Sequence, residues 1–302
     1  MELSKAICLL PVLITGCIFA SACGDAAAPR EAAAQHTREA DWPREIRVGL
    51  VPTEGGADTR ARFAPLEDHL TQELDADVSL VSASNYQGVI TAMANDQLEF
   101  AWLGPKSYVE AARRAGAEAL LLELNSEGDP GYRSVFIVPT ESDITSLKEA
   151  RGARFAFTDP NSTSGFLVPS VVLQDELGET AESFFGEVRF SGAHGTSILQ
   201  VAAGELDIAA TNDLDLPKMI EKGALDPSEI RVVYESDLIP GSPFAARREL
   251  PESLKSAFSE AIMKLNDKPR VLQQLQNGGY VPTTDDQYDV IRSLQRYVEA
   301  DE

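Results

Sequence analysis

Cysteine is confined to the first 23 residues. Cys8, Cys17 and Cys23 are the only three in the 302-residue chain. The body of the protein therefore has no thiol for a disulfide, a thiolate metal site or a covalent nucleophile. An exported domain built this way relies on its apolar core, and 43% hydrophobic residues suffice for one. Basic residues are scarce as well. Against 48 Asp and Glu stand 26 Lys and Arg, a net charge of −22. Such a surface repels phosphate backbones and argues against a nucleic-acid partner. There is no Gly-x-Ser-x-Gly elbow, no Cys/His cluster with metal-ligand spacing, no heptad array and no low-complexity repeat. No metal or cofactor is expected. The longest apolar run, Ala6 to Ala20, is too short for an ordinary membrane span and is interrupted by Pro11.

That run reads as an export signal, with Lys5 before it and small residues after it. Ala20-Ser21-Ala22-Cys23 resembles a bacterial lipobox, which makes Cys23 the expected lipidated residue. Ile14-Thr15-Gly16-Cys17 also fits the pattern, and plain cleavage near Ala22 is the alternative. Residues 1–22 are then a signal peptide. Residues 23–44, rich in Ala, Glu and Arg without a clear apolar face, are a flexible tether.

The folded body is expected from Glu45. Strand-like runs at 46–51, 77–81, 98–103, 119–124 and 132–138 alternate with helix-compatible stretches. The pattern restarts with strands at 154–158, 188–190, 206–210 and 231–234, and a helix over 163–177 that Pro169 should kink. From Pro251 the chain reads as all helical. Strand–helix alternation with short loops argues an α/β fold, here in two lobes: 45–138 with 244–302, and 139–243. Gly104-Pro105, Tyr132, Ser162 to Ser164 and His194 fall at or near expected strand ends, where open α/β sheets bind ligands.

One stretch carries the most chemistry. Asp159-Pro160-Asn161-Ser162-Thr163-Ser164-Gly165 joins a strand to a helix start. A helix N-terminus has free N–H groups and partial positive charge, and three hydroxyls add donors without formal charge. This suits a tetrahedral oxyanion. An ordinary N-cap is the competing explanation, but it needs only one such side chain.

Six segments together resemble the phosphonate/phosphite/phosphate-binding proteins that serve ABC importers. They are Ser84 to Ile90, Phe100 to Pro105, Pro130 to Val135, Asp159 to Pro169, Gly192-Ala193-His194 and Leu238 to Pro243. The resemblance spans roughly residues 45–300. It implies a two-lobed type II periplasmic-binding fold whose hinge strands let the lobes close on a ligand. It implies that Ser162, Thr163 and Ser164 hold the phosphonyl oxygens, that His194 assists, and that Tyr86 and Tyr132 line the cleft. The implied partners are a small oxyanion, an ABC permease with its ATPase, and the membrane through a lipid anchor, for a monomer outside the cytoplasm. Each residue also has a plainer role open to it: Tyr86 shares an apolar helix face, Tyr132 could be a surface strand residue, His194 could be structural, and Trp102 reads as core.

Members that bind aminoalkylphosphonates carry an aspartate in the crossing segment, where this chain has Ser242. A second acid lies near Asn212 to Asp215, where Asp213 or Asp215 could stand in. A buried carboxylate repels a dianion unless an ammonium intervenes, so Ser242 argues against an aminoalkyl ligand. Two other functions remain to weigh. One is a sensor subunit presenting its closed form to a kinase. The other is a hydrolase with Ser162 or Ser164 as nucleophile and His194 as base.

Overall fold

The computed structural model describes residues 41–301. The expected signal peptide, Cys23 and Cys17, and the expected tether up to residue 40 lie outside the described residues. Among the described residues, eleven strands form two sheets. Their ranges are β1 Glu45–Leu50, β2 Asp77–Ser82, β3 Phe100–Trp102, β4 Glu118–Leu124, β5 Gly131–Pro139, β6 Arg154–Phe157, β7 Glu187–Phe190, β8 Ile208–Asn212, β9 Ile230–Pro240, β10 Pro243–Ala246 and β11 Gly279–Pro282. The first sheet runs β11-β4-β10-β3-β1-β2 and the second β7-β6-β8-β5-β9.

Strand β1 lies parallel between β2 and β3; the helix Gly56–Leu74 carries the chain from β1 to β2 and the helix Tyr86–Ala94 from β2 to β3. Strands β10 and β11 join antiparallel to β4. In the second sheet β6 is parallel to β7 and β8, while β5 lies antiparallel between β8 and β9. Aromatic pairs fill both cores: Phe100 stacks on Phe258 at 3.8 Å in the first, and Phe155 on Phe185 at 4.3 Å in the second.

Two chain segments cross between the sheets side by side. One joins β4 to β5 through residues 125–130, and the other is Gly241-Ser242 between β9 and β10. Their backbones bond directly, Gly241 N–H to Pro130 O at 3.1 Å and Glu123 N–H to Ser242 O at 3.0 Å. Glycine is required at that approach, because a Cβ on Gly241 would sit 2.5 Å from Glu123 O.

Four expectations change. The strand ending at Pro139 belongs to the second sheet, so the first crossing comes before Gly131, not after Val138. The chain after Pro251 is not all helical, since β11 at Gly279–Pro282 joins the first sheet; β10, just before that point, was not expected either, and short runs broken by proline and glycine hid both. The stretch 163–177 is helical throughout, but its pitch changes where a single kink was expected: a π-helical turn over Thr163–Leu167 runs directly into the α-helix Val168–Leu177, just ahead of Pro169. Finally, the folded body starts earlier than Glu45. Trp42 is buried, and its indole N–H donates to Ser253 Oγ at 3.0 Å. Trp42→Ala should destabilise the mature protein by about 3 kcal/mol in urea unfolding; a change within the noise of silent surface substitutions would return Trp42 to the tether.

Candidate oxyanion site between the sheets

Strand β6 ends at Phe157, and the chain turns sharply through Thr158 and Asp159. The turn is held from within. Thr158 N–H donates to Gly165 O at 2.8 Å, Asn161 N–H to Asp159 Oδ1 at 2.7 Å, and Ser162 N–H to Asp159 O at 2.8 Å. Ser162 Oγ accepts the Gly165 N–H at 3.0 Å. Ser162 thus does act as an N-cap. The cap uses one hydroxyl of the three, and Thr163 and Ser164, both buried, are left for other work.

Thr163 Oγ1 accepts the Lys106 N–H at 2.8 Å, across from the first lobe. Its proton stays available for a ligand oxygen. Ser107 Oγ donates to Asn161 O at 2.9 Å, and His194 N–H donates to Thr53 O at 2.8 Å. Lys222 pairs with Glu54. Each of these contacts joins the two lobes, so the cleft is closed.

The closed cleft encloses a cavity of about 30 Å³. A single water needs roughly 10–15 Å³ on this measure, so the space suits a small polar head. All seven expected ligand residues line it: Tyr86, Tyr132, Ser162, Thr163, Ser164, His194 and Ser242. Gly104 and Trp102 are there too. Trp102 serves both roles, packed on Phe63 at 5.0 Å and donating to Glu123 Oε2 at 2.7 Å. Tyr132 is buried, not a surface residue.

Two hydroxyls in the wall stand out. Tyr86 OH and Thr53 Oγ1 are buried, and neither has a hydrogen-bond partner among the described residues. Tyr86 OH approaches Ser162 without reaching hydrogen-bond geometry. A buried orphan hydroxyl costs about 1–3 kcal/mol, so two in one cavity call for an acceptor from outside the protein. Burial holds the phenols of Tyr86 and Tyr132 protonated, well above their ordinary range, and so able to donate.

His194 Nε2 lies 3.3 Å from Ser162 Oγ, and Nδ1 lies 3.1 Å from Thr211 Oγ1 and 3.4 Å from Thr158 Oγ1. The Thr158 proton goes to Ala210 O at 3.2 Å, so Thr158 can only accept from Nδ1. The network therefore assigns the proton to Nδ1 and leaves Nε2 to accept from Ser162. Burial lowers the His194 pKa from 6.5 to about 4, against the pull of Asp215. A depressed folded-state pKa stabilises above pH 6.5, where both states are neutral, and that stability is lost as pH falls toward 4. Free protein should lose about 3 kcal/mol over this window through His194. Unfolding measured from pH 7 to 4 should show a shallower decline in His194→Gln; parallel profiles for the two proteins would contradict the burial of a neutral ring.

Further side chains appear that sequence patterns did not single out. Thr53, Glu123, Asn212 and Lys218 line the cavity with Asp215. Of the two acids left open, Asp215 reaches the cavity, while Asp213 faces an outer groove and accepts the Arg133 N–H at 2.9 Å. Burial opposes ionisation of Asp215, but Lys218 Nζ at 3.6 Å, His194, Asn212 Nδ2 at 2.9 Å and Arg62 keep its pKa below the usual carboxylate value. Burial, then Arg62, lowers the Lys218 pKa. Nothing in a helix of ordinary polarity marked Lys218. The one available signal was its position three residues after Asp215.

Residues 48–288 match the family described as "ABC transporter, phosphonate, periplasmic substrate-binding protein". The chain is 33% identical to the phosphate-import protein PhnD of Mycolicibacterium smegmatis, over 92% of this chain and 91% of that one. It is 30% identical to the phosphonates-binding periplasmic protein of Escherichia coli, over 85% and 77%. Its fold superposes on the crystal structure of a binding-protein component of an ABC phosphonate transporter from Pseudomonas aeruginosa with a TM-score of 0.79, at 28% identity over 84% and 86% of the chains.

Proposed function

Since the chain belongs to the family of periplasmic substrate-binding proteins of phosphonate ABC transporters, we propose that its cavity captures one small phosphorus oxyanion and the closed protein delivers it to a permease. The observation that carries this is the cavity wall. Three consecutive residues with hydroxyls, two tyrosines and Thr53 converge there, and two of the hydroxyls lack an acceptor among the described residues. Neutral donors in fixed positions bind an oxyanion without a salt bridge, at short range, inside a chain of net charge −22. The head oxygens lie against Ser162, Thr163 and Ser164, with Tyr86, Tyr132, His194 and Ser242 around them.

Contacts across the cleft make capture a closing motion. Thr163 with Lys106 and His194 with Thr53 pair only when the lobes meet. A ligand bridging the same elements favours that state by its differential affinity. The closed face is then what the permease and ATPase recognise. The protein works outside the cytoplasm as a monomer, tethered by a lipid on Cys23. The lobes are 41–124 with 243–301, and 131–240.

Deleting this chain from its host should abolish growth on methylphosphonate, phosphite or phosphate at limiting concentration, for whichever of these binds. Normal uptake combined with loss of a transcriptional response would instead assign the chain to a kinase sensor. The Ser162–His194 approach at 3.3 Å also permits a hydrolase reading. In that reading the histidine would be oriented by Thr158 and Thr211, not by a carboxylate, and a pKa near 4 makes it a weak base. Turnover of a phosphonate ester by the pure protein would revive it.

A further inference from the structure

Two carboxylates line the cavity, and they are neutralised differently. Glu123 is tied into the first lobe. It accepts from Trp102 Nε1 at 2.7 Å and Asn277 Nδ2 at 2.8 Å, with Arg62 Nη1 at 3.6 Å. Arg62 is itself held by Glu54 at 2.6 Å and Leu275 O at 3.0 Å. Asp215 belongs to the second lobe, and its side chain is 3% exposed. Asn212 gives it one neutral hydrogen bond. Its cation is Lys218, three residues on, with Nζ 3.6 Å away.

Lys218 lines three spaces: the inner cavity, a small pocket beside Gly131, Gly241 and Ser242, and the outer groove beside Asn125 and Gln273. Its ammonium stands where a cationic group on a ligand tail would have to stand to meet Asp215. An ionised carboxylate this deep needs a cation, whoever supplies it.

Resting on the functional reading above, we propose that Lys218 is the specificity-determining residue of the cleft. It is a built-in ammonium that satisfies Asp215, makes the site select phosphorus oxyanions without an amino group, and repels those that carry one. Without Lys218 the same carboxylate would recruit the ammonium of an aminoalkylphosphonate. Selectivity then lies in an ion pair within the protein, and one side chain switches it.

The test is calorimetric titration of the wild type, Lys218→Met, Asp215→Asn and the double variant with methylphosphonate and 2-aminoethylphosphonate. The wild type should favour methylphosphonate. In Lys218→Met the ratio of the two dissociation constants should move toward the amino ligand by about 100-fold. In the double variant that gain should vanish, because no carboxylate remains to attract the ammonium. A folded Lys218→Met protein with an unmoved ratio overturns the proposal, as does a gain that survives in the double variant, which would be due to space and not charge. If Lys218→Met does not fold, Asp215→Asn decides: the unbalanced lysine should push the ratio about tenfold further against the amino ligand, and an unchanged ratio overturns the assignment. A wild type that binds neither phosphonate nor phosphate overturns the functional reading itself; binding with an unmoved ratio overturns only the role of Lys218.

Discussion

Replacing Ser162, Thr163 and Ser164 together by alanine should weaken binding of methylphosphonate about 100-fold or more while the protein stays folded. The size follows from the chemistry. A hydrogen bond to a charged group contributes about 1.5–3 kcal/mol, and about 1.4 kcal/mol is tenfold in affinity. The Ser162 proton is held by His194 Nε2, so Thr163 and Ser164 supply two such bonds, about 3 kcal/mol together even at the low end. The fold should survive because two of the three hydroxyls do little structural work. Ser162 caps the turn through Gly165 N–H at 3.0 Å, which contributes about 1 kcal/mol. Thr163 accepts one N–H from Lys106, a contact between lobes and not within a core. Circular dichroism and thermal unfolding establish that the variant is folded, and titration gives the affinity. A folded triple variant with near-wild-type affinity would remove these residues from the site.

The second large effect is expected one residue further on. Gly165→Ala should lower the melting temperature by about 5 °C and weaken ligand binding about tenfold or more. A Cβ on Gly165 would lie 2.3 Å from both Cβ and Oγ1 of Thr158, and 3.0 Å from Ser162 Oγ. The neighbour at fault is Thr158 Cβ, the first atom of its side chain, on the residue just after strand β6, so no rotamer change relieves the clash. The turn has to move, and Ser162 to Ser164 move with it. Donors in such a site tolerate only about 0.5 Å of displacement. Binding should therefore suffer more than the modest loss of stability suggests. Wild-type affinity in a destabilised Gly165→Ala protein would show that the turn's geometry does not matter to the ligand.

Much of the architecture was legible because it rests on local periodicity. The first-lobe strands β1 to β4 and their crossover helices follow from apolar runs alternating with spacing-four faces. What escaped has a common cause. Strands β10 and β11 are four residues each, and their identity as strands comes from partners far away in sequence, β3 and β4. Strand β5 was recognised, yet its sheet was misassigned, since pairing with β8 and β9 leaves no mark within the strand itself. Trp42 lies beyond a polar, alanine-rich stretch, and only the tertiary pocket beside Ser253 reveals its burial.

The site divides the same way. Ser162 to Ser164 announced themselves as a run of hydroxyls at a helix start, and the six resembling segments added Tyr86, Tyr132, His194 and Ser242. The charged half of the wall was silent. Glu123 sits at an ordinary strand end and Lys218 on an ordinary helix, and folding alone brings them to the cavity with Asp215. The opening ambiguity between cap and cradle also resolves into parts, for Ser162 is the cap and its neighbours remain free to bind.

The measurement that bears most directly on the central claim is calorimetric titration of the mature protein with methylphosphonate, phosphite, phosphate, sulfate and arsenate. The account predicts one site per chain, clear binding of at least one of the three phosphorus oxyanions, and loss of that binding in the Ser162/Thr163/Ser164 triple-alanine variant. Heat from sulfate alone, or from none of the five with a folded protein, would contradict it.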